Sequence, residues 1–126
     1  MNIFYNSNAN NRYKKYNINT ILREGNKSIR EIQTDILKNP SFCREEYSLT
    51  SKELKGYLSA GFTIYSTSND NILNGVLNFD INEPDLYIYG LCVPASESGK
   101  GIGTELLNTV KQIAKMNNIQ NIKLTC

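Results

Sequence analysis

The sequence contains no histidine and no tryptophan. The absence of histidine restricts the catalytic and metal-binding chemistry that the chain can perform. Without an imidazole, the chain has no Ser-His-Asp triad, no Cys-His catalytic pair and no zinc site with a histidine ligand. Any proton transfer must therefore use Asp, Glu, Tyr, Cys, Lys or a water molecule.

Cysteine is scarce, and its spacing is not that of a metal site. Cys43, Cys92 and Cys126 are odd in number and far apart, which fits neither a paired disulfide framework nor a CxxC clip. We therefore expect no metal, a reducing cytoplasmic location, and Cys92 as a small buried hydrophobic residue.

Long apolar runs are also absent. No segment approaches the roughly 20 apolar residues of a membrane span, and residues 1–11 lack the apolar core of a signal peptide. The 14 basic and 12 acidic residues leave a formal net charge of +2, which is too small to indicate DNA binding. We expect neither a membrane nor a nucleic acid as partner.

The length and composition indicate one globular domain over residues 1–126, since 40% of the residues are hydrophobic. Residues 1–19 are rich in Asn and Tyr. At this end of the chain only residues 2–5 or residues 16–22 have the pattern of a short strand. We expect much of residues 1–19 to be mobile.

Two helices are predicted in the first half of the chain. Each begins with a capping box, a Ser or Thr followed three residues later by Glu. The boxes are Ser28 with Glu31 and Thr50 with Glu53. An apolar stripe follows each box, and helix-ending residues stand at Asn39-Pro40 and at Gly61. A polar loop, 41–49, joins them.

From residue 62 the pattern changes to β-branched and aromatic residues bounded by turn residues. The predicted elements are strands at 62–66, 72–79, 86–93 and 119–125, a helix at 102–117, and turns at 68–71 and 80–85. The first two of these strands predict an antiparallel hairpin.

The most informative segment joins the strand at 86–93 to the last helix. Gly99, Gly101 and Gly103 alternate at the start of this helix. Lacking side chains, they allow several backbone N–H groups to converge where the helix dipole favours an anion. Lys100 adds a positive charge, and the hydroxyls of Ser98 and Thr104 either contact the anion or cap the helix.

Two phosphate motifs are disfavoured. A Walker loop needs Ser or Thr after its lysine, and Lys100 is followed by Gly101. A dinucleotide fingerprint needs GxGxxG directly after its strand, whereas this chain has GxGxG separated from the strand by residues 94–98.

The segment Ser98-Gly99-Lys100-Gly101-Ile102-Gly103 resembles the acetyl-CoA loop of the GCN5-related N-acetyltransferase (GNAT) superfamily. The strand end at 91–93, Pro94, the pair Leu106-Leu107 and the closing strand extend the resemblance. It covers 85–126 well, and the upstream elements agree in order.

The resemblance implies an α+β (α/β three-layer) fold with a mostly antiparallel mixed sheet, helices on both faces, and an acetyl-CoA-binding core at 85–126. It implies acetyl transfer from acetyl-CoA, a co-substrate, to a primary amine by direct attack. The implied cofactor-binding residues are Leu91, Cys92, Val93, Ser98, Gly99, Lys100, Gly101, Ile102, Gly103 and Thr104.

Catalytic residues are not determined by the sequence. The weak candidates are Tyr87 and Tyr89, which share one strand face by period two, and the carboxylates Asp85 and Glu83 at the strand entrance. Asp80, Glu45 and Glu46 are better interpreted as solvated acids.

Two departures from the family pattern leave an alternative open. Ser98 stands where the family usually has Arg or Gln, and the chain lacks the helix and two strands expected after its last strand. An enzyme is favoured. The alternative is a truncated or degenerate domain that serves as a non-catalytic CoA-binding or assembly subunit, with a homo-oligomer or a partner chain completing the sheet.

Overall fold

The computed structural model describes residues 2–6, 15–39, 42, 58 and 61–124. Its elements, in chain order, are β1 (Asn2–Asn6), β2 (Arg23–Glu24), α1 (Ile29–Lys38), β3 (Phe62–Thr67), β4 (Leu73–Asn82), β5 (Asp85–Cys92), a 3-10 turn (Ala95–Glu97), α2 (Ile102–Met116) and β6 (Asn121–Leu124). None of the helices in these ranges is both long and apolar enough to cross a membrane.

The described strands form one six-stranded sheet in the order β2-β1-β3-β4-β5-β6. The three central pairs, β1 with β3, β3 with β4 and β4 with β5, are antiparallel. The two outermost pairs, β1 with β2 and β5 with β6, are parallel. The mostly antiparallel mixed sheet is therefore confirmed.

A hydrophobic core lies on each face of the sheet, so the helices cover both faces as predicted. On one face α2 buries Ile102, Leu106, Val110, Ile113 and Ala114 against strand residues that include Leu77, Phe79, Leu86 and Ile88. On the other face α1 buries Ile32 and Ile36 with Phe42, Leu58, Tyr65, Val76 and Cys92. Each such aliphatic side chain contributes roughly 1.5–3 kcal/mol by leaving water.

The local signals for α1 and for the hairpin are confirmed. The Oγ of Ser28 accepts a hydrogen bond from the Glu31 amide at 3.1 Å, and the Glu31 carboxylate accepts one from the Ser28 amide at 3.3 Å. β3 and β4 pair in antiparallel register around the turn at 68–71, where Asn71 adopts a positive φ of 61°.

The predicted turn at 80–85 is wrong in its extent. β4 continues through Asn82, and only Glu83 and Pro84 connect it to β5. The physical reason is burial: Ile81 packs in the α2-side core and pairs with Leu86, so the strand extends past Asp80.

Near the start of the chain, the first of the two strand alternatives is confirmed as β1. Residues 16–22 instead contain a turn in which the Ile18 carbonyl accepts from the amides of Ile21 and Leu22, both at 3.0 Å. The strand that follows is β2. Most of the predicted helix at 50–61 and of the loop at 41–49 lies outside the described residues, as do Glu45, Glu46, Cys43 and Cys126.

One irregularity in β5 was not predicted. Phe79 pairs with Ile88 and Asn78 pairs with Gly90, so Tyr89 is an extra residue in the register. The residues that face α2 therefore switch from even to odd numbers at Tyr89. Leu86 and Ile88 pack in the α2-side core before it, and Leu91 and Val93 pack there after it. Such a bulge reorients the strand end that leads into the glycine loop.

Candidate functional site

The glycine loop runs from the end of β5 through the 3-10 turn to the start of α2. Ser98 closes the 3-10 turn with its amide on the Ala95 carbonyl at 3.1 Å. Gly99 and Gly101 then take left-handed φ values of 83° and 80°, which other residues adopt at a cost of roughly 1–2 kcal/mol. Gly99 and Gly101 are therefore needed for the backbone path, whereas Gly103 is helical.

The start of α2 presents its amides without a side-chain cap. Gly101 is the N-cap residue, and no side chain accepts a hydrogen bond at this end. The first bond of the helix runs from the Glu105 amide to the Gly101 carbonyl at 3.0 Å. The amides before Glu105 therefore have no partner within the helix, and the dipole adds partial positive charge at the same place. The interpretation of Thr104 as a cap is wrong.

The space above the loop is open. A Cβ atom built at Gly99 or at Gly101 meets no heavy atom within 4 Å, whereas one at Gly103 lies 3.8 Å from side-chain atoms of Leu91 and Val93. Gly103 thus faces the end of β5, and the two left-handed glycines are exposed with open space beside them.

Gly75 of β4 fixes the position of this helix start. A Cβ at Gly75 would lie 2.8 Å from Cγ2 of Ile102, 2.9 Å from Cδ1 of Leu106 and 2.7 Å from Oγ of Ser66. The first turn of α2 therefore rests directly on the β4 backbone, a close approach that only glycine permits. The spacing of the apolar residues gave no signal of this contact.

An ion pair lies across the loop. The Nζ of Lys100 is 2.8 Å from Oε2 of Glu97, with 62% of the lysine side chain and 26% of the glutamate side chain exposed. Both charges thus remain near solvent, where such a pair contributes little to stability. The sequence analysis did not single out Glu97 as a neighbour of the candidate site, because only the 3-10 turn brings it to Lys100.

Cys92 is fully buried, as predicted. Its sulfur is disulfide-bonded, which the cysteine spacing did not predict. A sulfur in a disulfide has no thiolate to offer as a nucleophile.

Asp85 is the centre of a polar cluster at the opposite end of β5. Its Oδ1 accepts from Nδ2 of Asn121 at 2.9 Å, and its Oδ2 accepts from the Tyr87 hydroxyl at 3.1 Å. Nζ of Lys123 lies 3.2 Å from the same Oδ2. Two strands meet here, since Asn121 and Lys123 belong to β6. We call these four residues the Asp85 clip.

The clip keeps the carboxylate ionised. The hydrogen bond from Asn121, followed by those from Lys123 and Tyr87, holds the pKa of Asp85 below its ordinary value, although burial acts in the opposite direction. A carboxylate with three donors and a lowered pKa is a poor general base. The donors on β6 could not be found from the sequence, because the register between β5 and β6 decides which side chains face Asp85.

The other two catalytic candidates lie outside the clip. Glu83 is exposed in the turn before β5, and Tyr89, with 39% of its surface exposed, is the extra residue of the bulge. A strand rises about 3.3 Å per residue. Tyr89 is therefore about 10 Å from Cys92, whereas Asp85 and Glu83 lie about 20 Å or more from the glycine loop.

Among the described residues, no group of three or more Cys, Asp or Glu side chains is placed to hold a metal ion. The donors around the glycine loop are backbone amides, the hydroxyls of Ser98 and Thr104, and one ammonium group, that of Lys100. This donor set suits an anion.

A family model described as "Acetyltransferase (GNAT) family" matches residues 26–126. No curated protein matches this chain significantly.

Several solved structures share the fold. The IAA acetyltransferase from Bacillus cereus ATCC 14579 superposes with a TM-score of 0.55 at 18% identity over 73% of this chain. This chain spans 56% of that protein's length. Tetrahymena GCN5 gives a TM-score of 0.64 at 16% identity, over 100% of this chain and 71% of its own. A GNAT family acetyltransferase from Streptococcus pneumoniae TIGR4 gives 0.55 at 19% identity, over 74% and 67%.

Proposed function

Since the chain belongs to the acetyltransferase (GNAT) family, we propose that it transfers the acetyl group of acetyl-CoA to a primary amine by direct attack. Members of this family transfer acetyl groups and use acetyl-CoA as co-substrate. The observation that carries the proposal is the glycine loop, whose left-handed glycines have open space beside them at an uncapped helix start.

The diphosphate of acetyl-CoA would bind to the amides between Ser98 and Thr104. Support comes from the chemistry of the donors: unpaired amides at a helix start bind phosphate well. Lys100 would contribute as a point charge after its ammonium leaves Glu97. Ser98, Ile102 and Thr104 add backbone amides or hydroxyls to the same cradle.

The pantetheine arm would lie beside Leu91, Cys92 and Val93, which lead from the bulge to the loop. The in-register pairing of β5 with β6 runs from Asp85 to Ile88, and the described part of β6 ends opposite Ile88. The bulge at Tyr89 falls directly after this pairing. We propose that the thioester is held near this point of β5.

In the reaction, the neutral amine attacks the thioester carbonyl, a C–N bond forms, and the tetrahedral intermediate expels the CoA thiolate as the C–S bond breaks. The amine proton passes to a base or a water chain, and the thiolate takes up a proton. Backbone amides near Cys92 and Val93 would polarise the carbonyl, and fixed donors of this kind are worth roughly 3–4 kcal/mol in the transition state.

Of the four catalytic candidates, Tyr89 is the best placed to protonate the thiolate. It lies on the bulge, next to the strand end that leads into the glycine loop, whereas both carboxylates lie near the far end of β5. We propose that Asp85 and Tyr87 instead hold β6 against β5.

The direct test compares the chain with its Gly101→Asn variant. Asn tolerates the left-handed conformation better than other side chains, and no atom lies within 4 Å of the added Cβ. The variant should fold with nearly the same melting temperature while its side chain occupies the open space beside the loop amides. Acetyl-CoA at a hundred times its Kd should stabilise the wild type by about 2.7 kcal/mol and the variant by much less.

Thiol release in the presence of a panel of primary amines tests turnover. Acetyl-CoA-dependent stabilisation together with amine-dependent release supports the enzyme. Stabilisation without release for any amine supports the non-catalytic CoA-binding subunit instead. Equal stabilisation of wild type and Gly101→Asn, or none of either, overturns the assignment of the loop.

The cytoplasmic location remains a prediction. The disulfide at Cys92 is an observation against it, because disulfides are rare in reducing compartments. Free-thiol counting on protein isolated under thiol-blocking conditions would decide between the two.

A further inference from the structure

Asn74 lies at the end of β4 that is next to the start of α2. After the glycine loop, α2 returns to Asn121, which pairs with Asp85 at the start of β5. α2 is therefore antiparallel to β5 and runs in the same direction as β4. Gly75 lies under Ile102, the first residue of α2. Asn74 is about 3.3 Å further out along β4, on the side to which the amides of the first helical turn point.

The amide of the Asn74 side chain lies on the α2 face of the sheet. The register of β3 and β4 shifts after the pair Ser66–Gly75, and Asn74 is the extra residue there. The Ser66 Oγ donates a hydrogen bond to Asn74 Oδ1 at 2.6 Å. The same Oγ lies 2.7 Å from a Cβ built at Gly75, and Cγ2 of Ile102 lies 2.8 Å from it. The Asn74 amide is therefore a neighbour of the first turn of α2.

This amide is buried, but only one of its two polar atoms is paired. Asn74 is 7% exposed, and Ser66, which holds its Oδ1, is fully buried. Among the residues that the structure describes, its Nδ2 has no acceptor. Asn78 is also buried in β4, but its Nδ2 donates to Oγ1 of Thr63 at 2.8 Å. Buried polar groups are nearly always hydrogen-bonded, so the Nδ2 of Asn74 points to an acceptor that a ligand supplies.

The position of Asn74 decides which part of acetyl-CoA supplies this acceptor. The pantetheine arm is proposed to follow β5 beyond its pairing with β6, and β4 lies on the opposite side of β5. The diphosphate is proposed at the start of α2, which rests on β4 beside Asn74. The helix start has no side-chain cap, and its partial positive charge favours an anion. The acceptor that fits is therefore a phosphate oxygen.

We infer that Asn74 is a further binding residue of the proposed acetyl-CoA site, and that its Nδ2 donates a hydrogen bond to a phosphate oxygen of the diphosphate. Ser66 is a positioning residue, because its hydroxyl holds Oδ1 and thereby orients the amide. The inference rests on the proposed function. It adds to the amides of the glycine loop a side chain from a different strand.

The first test measures the Kd of acetyl-CoA by calorimetry for the full chain and its variants. Asn74→Ala should weaken binding by about tenfold, the loss expected for a hydrogen bond to a charged group. Asn78→Ala is the matched control, since it removes a buried asparagine of the same strand whose amide is already paired. It should bind acetyl-CoA as the wild type does. Equal weakening in both variants overturns the role of Asn74.

Asn74→Asp separates a contact with the ligand from a purely structural role. The carboxylate keeps the shape of the side chain and the acceptor for Ser66, but at about pH 8 it is ionised, has no donor and repels a phosphate. A contact with the diphosphate predicts weaker binding for Asn74→Asp than for Asn74→Ala. A structural role predicts the reverse order, because the shape is preserved, and that order overturns the inference.

Two-dimensional NMR of the wild type gives a readout that does not depend on how a variant folds. The side-chain amide signals of Asn74 should shift on saturation with acetyl-CoA and likewise with ADP, which carries a diphosphate but no pantetheine. A shift with acetyl-CoA alone assigns the contact to another part of the ligand and overturns the inference. If the backbone signals of 99–104 shift and those of the Asn74 side chain do not, the inference fails while the proposed function stands. If acetyl-CoA shifts neither set, both fail.

Discussion

The Nζ of Lys123 lies 3.2 Å from Oδ2 of Asp85, across the parallel pair formed by β6 and β5. The Asn121 amide and the Tyr87 hydroxyl bind the same carboxylate. These contacts join a short edge strand, β6, to the strand that leads into the glycine loop.

We expect Asp85→Asn to lower the free energy of unfolding, because the amide loses the charge that attracts Lys123 and replaces one acceptor oxygen by a donor. Urea denaturation should give a lower midpoint than in the wild type. Asp70→Asn is the matched control, since Asp70 lies in the exposed turn between β3 and β4. Equal midpoints for the two variants would show that the clip contributes nothing.

The same carboxylate makes stability depend on pH. The pKa of Asp85 in the folded protein is below its ordinary value, which is about 3.9 in an unfolded chain. The stabilisation is therefore complete above about pH 4 and is lost as the pH falls through the lower, folded value. The difference in unfolding free energy between wild type and Asp85→Asn should be constant near neutral pH and shrink in this acidic range. A difference that grew on acidification would contradict the assigned hydrogen bonds.

Gly75→Ala should destabilise the fold by about 1–3 kcal/mol, the usual cost of overpacking, because the new methyl meets Ile102 and Leu106 at under 3 Å. Relief of the clash must move the first turn of α2. We therefore also expect weaker binding of acetyl-CoA, measured by calorimetry. Gly101→Ala is the comparison, since its Cβ meets no atom within 4 Å and its cost is backbone strain of roughly 1–2 kcal/mol.

Glu97→Gln should strengthen acetyl-CoA binding by about two- to fivefold, an effect of the size that exposed charge pairs have. The substitution releases Lys100 and removes a negative charge beside the proposed diphosphate site. The gain should diminish in high salt, and Lys100→Gln should act in the opposite direction. Glu83→Gln is the control, because Glu83 lies at the far end of β5. A weaker affinity in Glu97→Gln would argue against a diphosphate at this loop.

Tyr89→Phe should lower kcat by about a hundredfold if the Tyr89 hydroxyl protonates the departing thiolate. The Kd for acetyl-CoA should not change. Tyr87→Phe is the matched control, and its effect should be on stability, since the Tyr87 hydroxyl donates to Asp85. An unchanged kcat in Tyr89→Phe would remove Tyr89 from the mechanism.

Much of the fold was predictable because its signals are local. The capping box at Ser28 and Glu31, the hairpin turn and the spacing of apolar residues in α2 depend on residues a few positions apart. The order of these elements and the glycines at 99, 101 and 103 gave the family resemblance, which the family match confirms.

The features that the sequence did not predict depend on contacts between residues that are distant in the chain. The short strand β2 exists only because Arg23 and Glu24 pair with Phe4 and Tyr5. Gly75 is an ordinary glycine in sequence, and its role follows from the approach of α2. The role of Asp85 likewise depends on β6, since a parallel register cannot be derived from either strand alone.

The extra residue at Tyr89 determines which side chains of β5 face α2 on either side of the bulge. Upstream of it, even-numbered side chains reach α2; downstream of it, odd-numbered ones do. Deleting a single residue here would turn Leu91 and Val93 outward and send Cys92 toward the helix. Insertions and deletions in this strand should therefore be far less tolerated than substitutions, and a library of length variants would find a narrow optimum at the present number of residues.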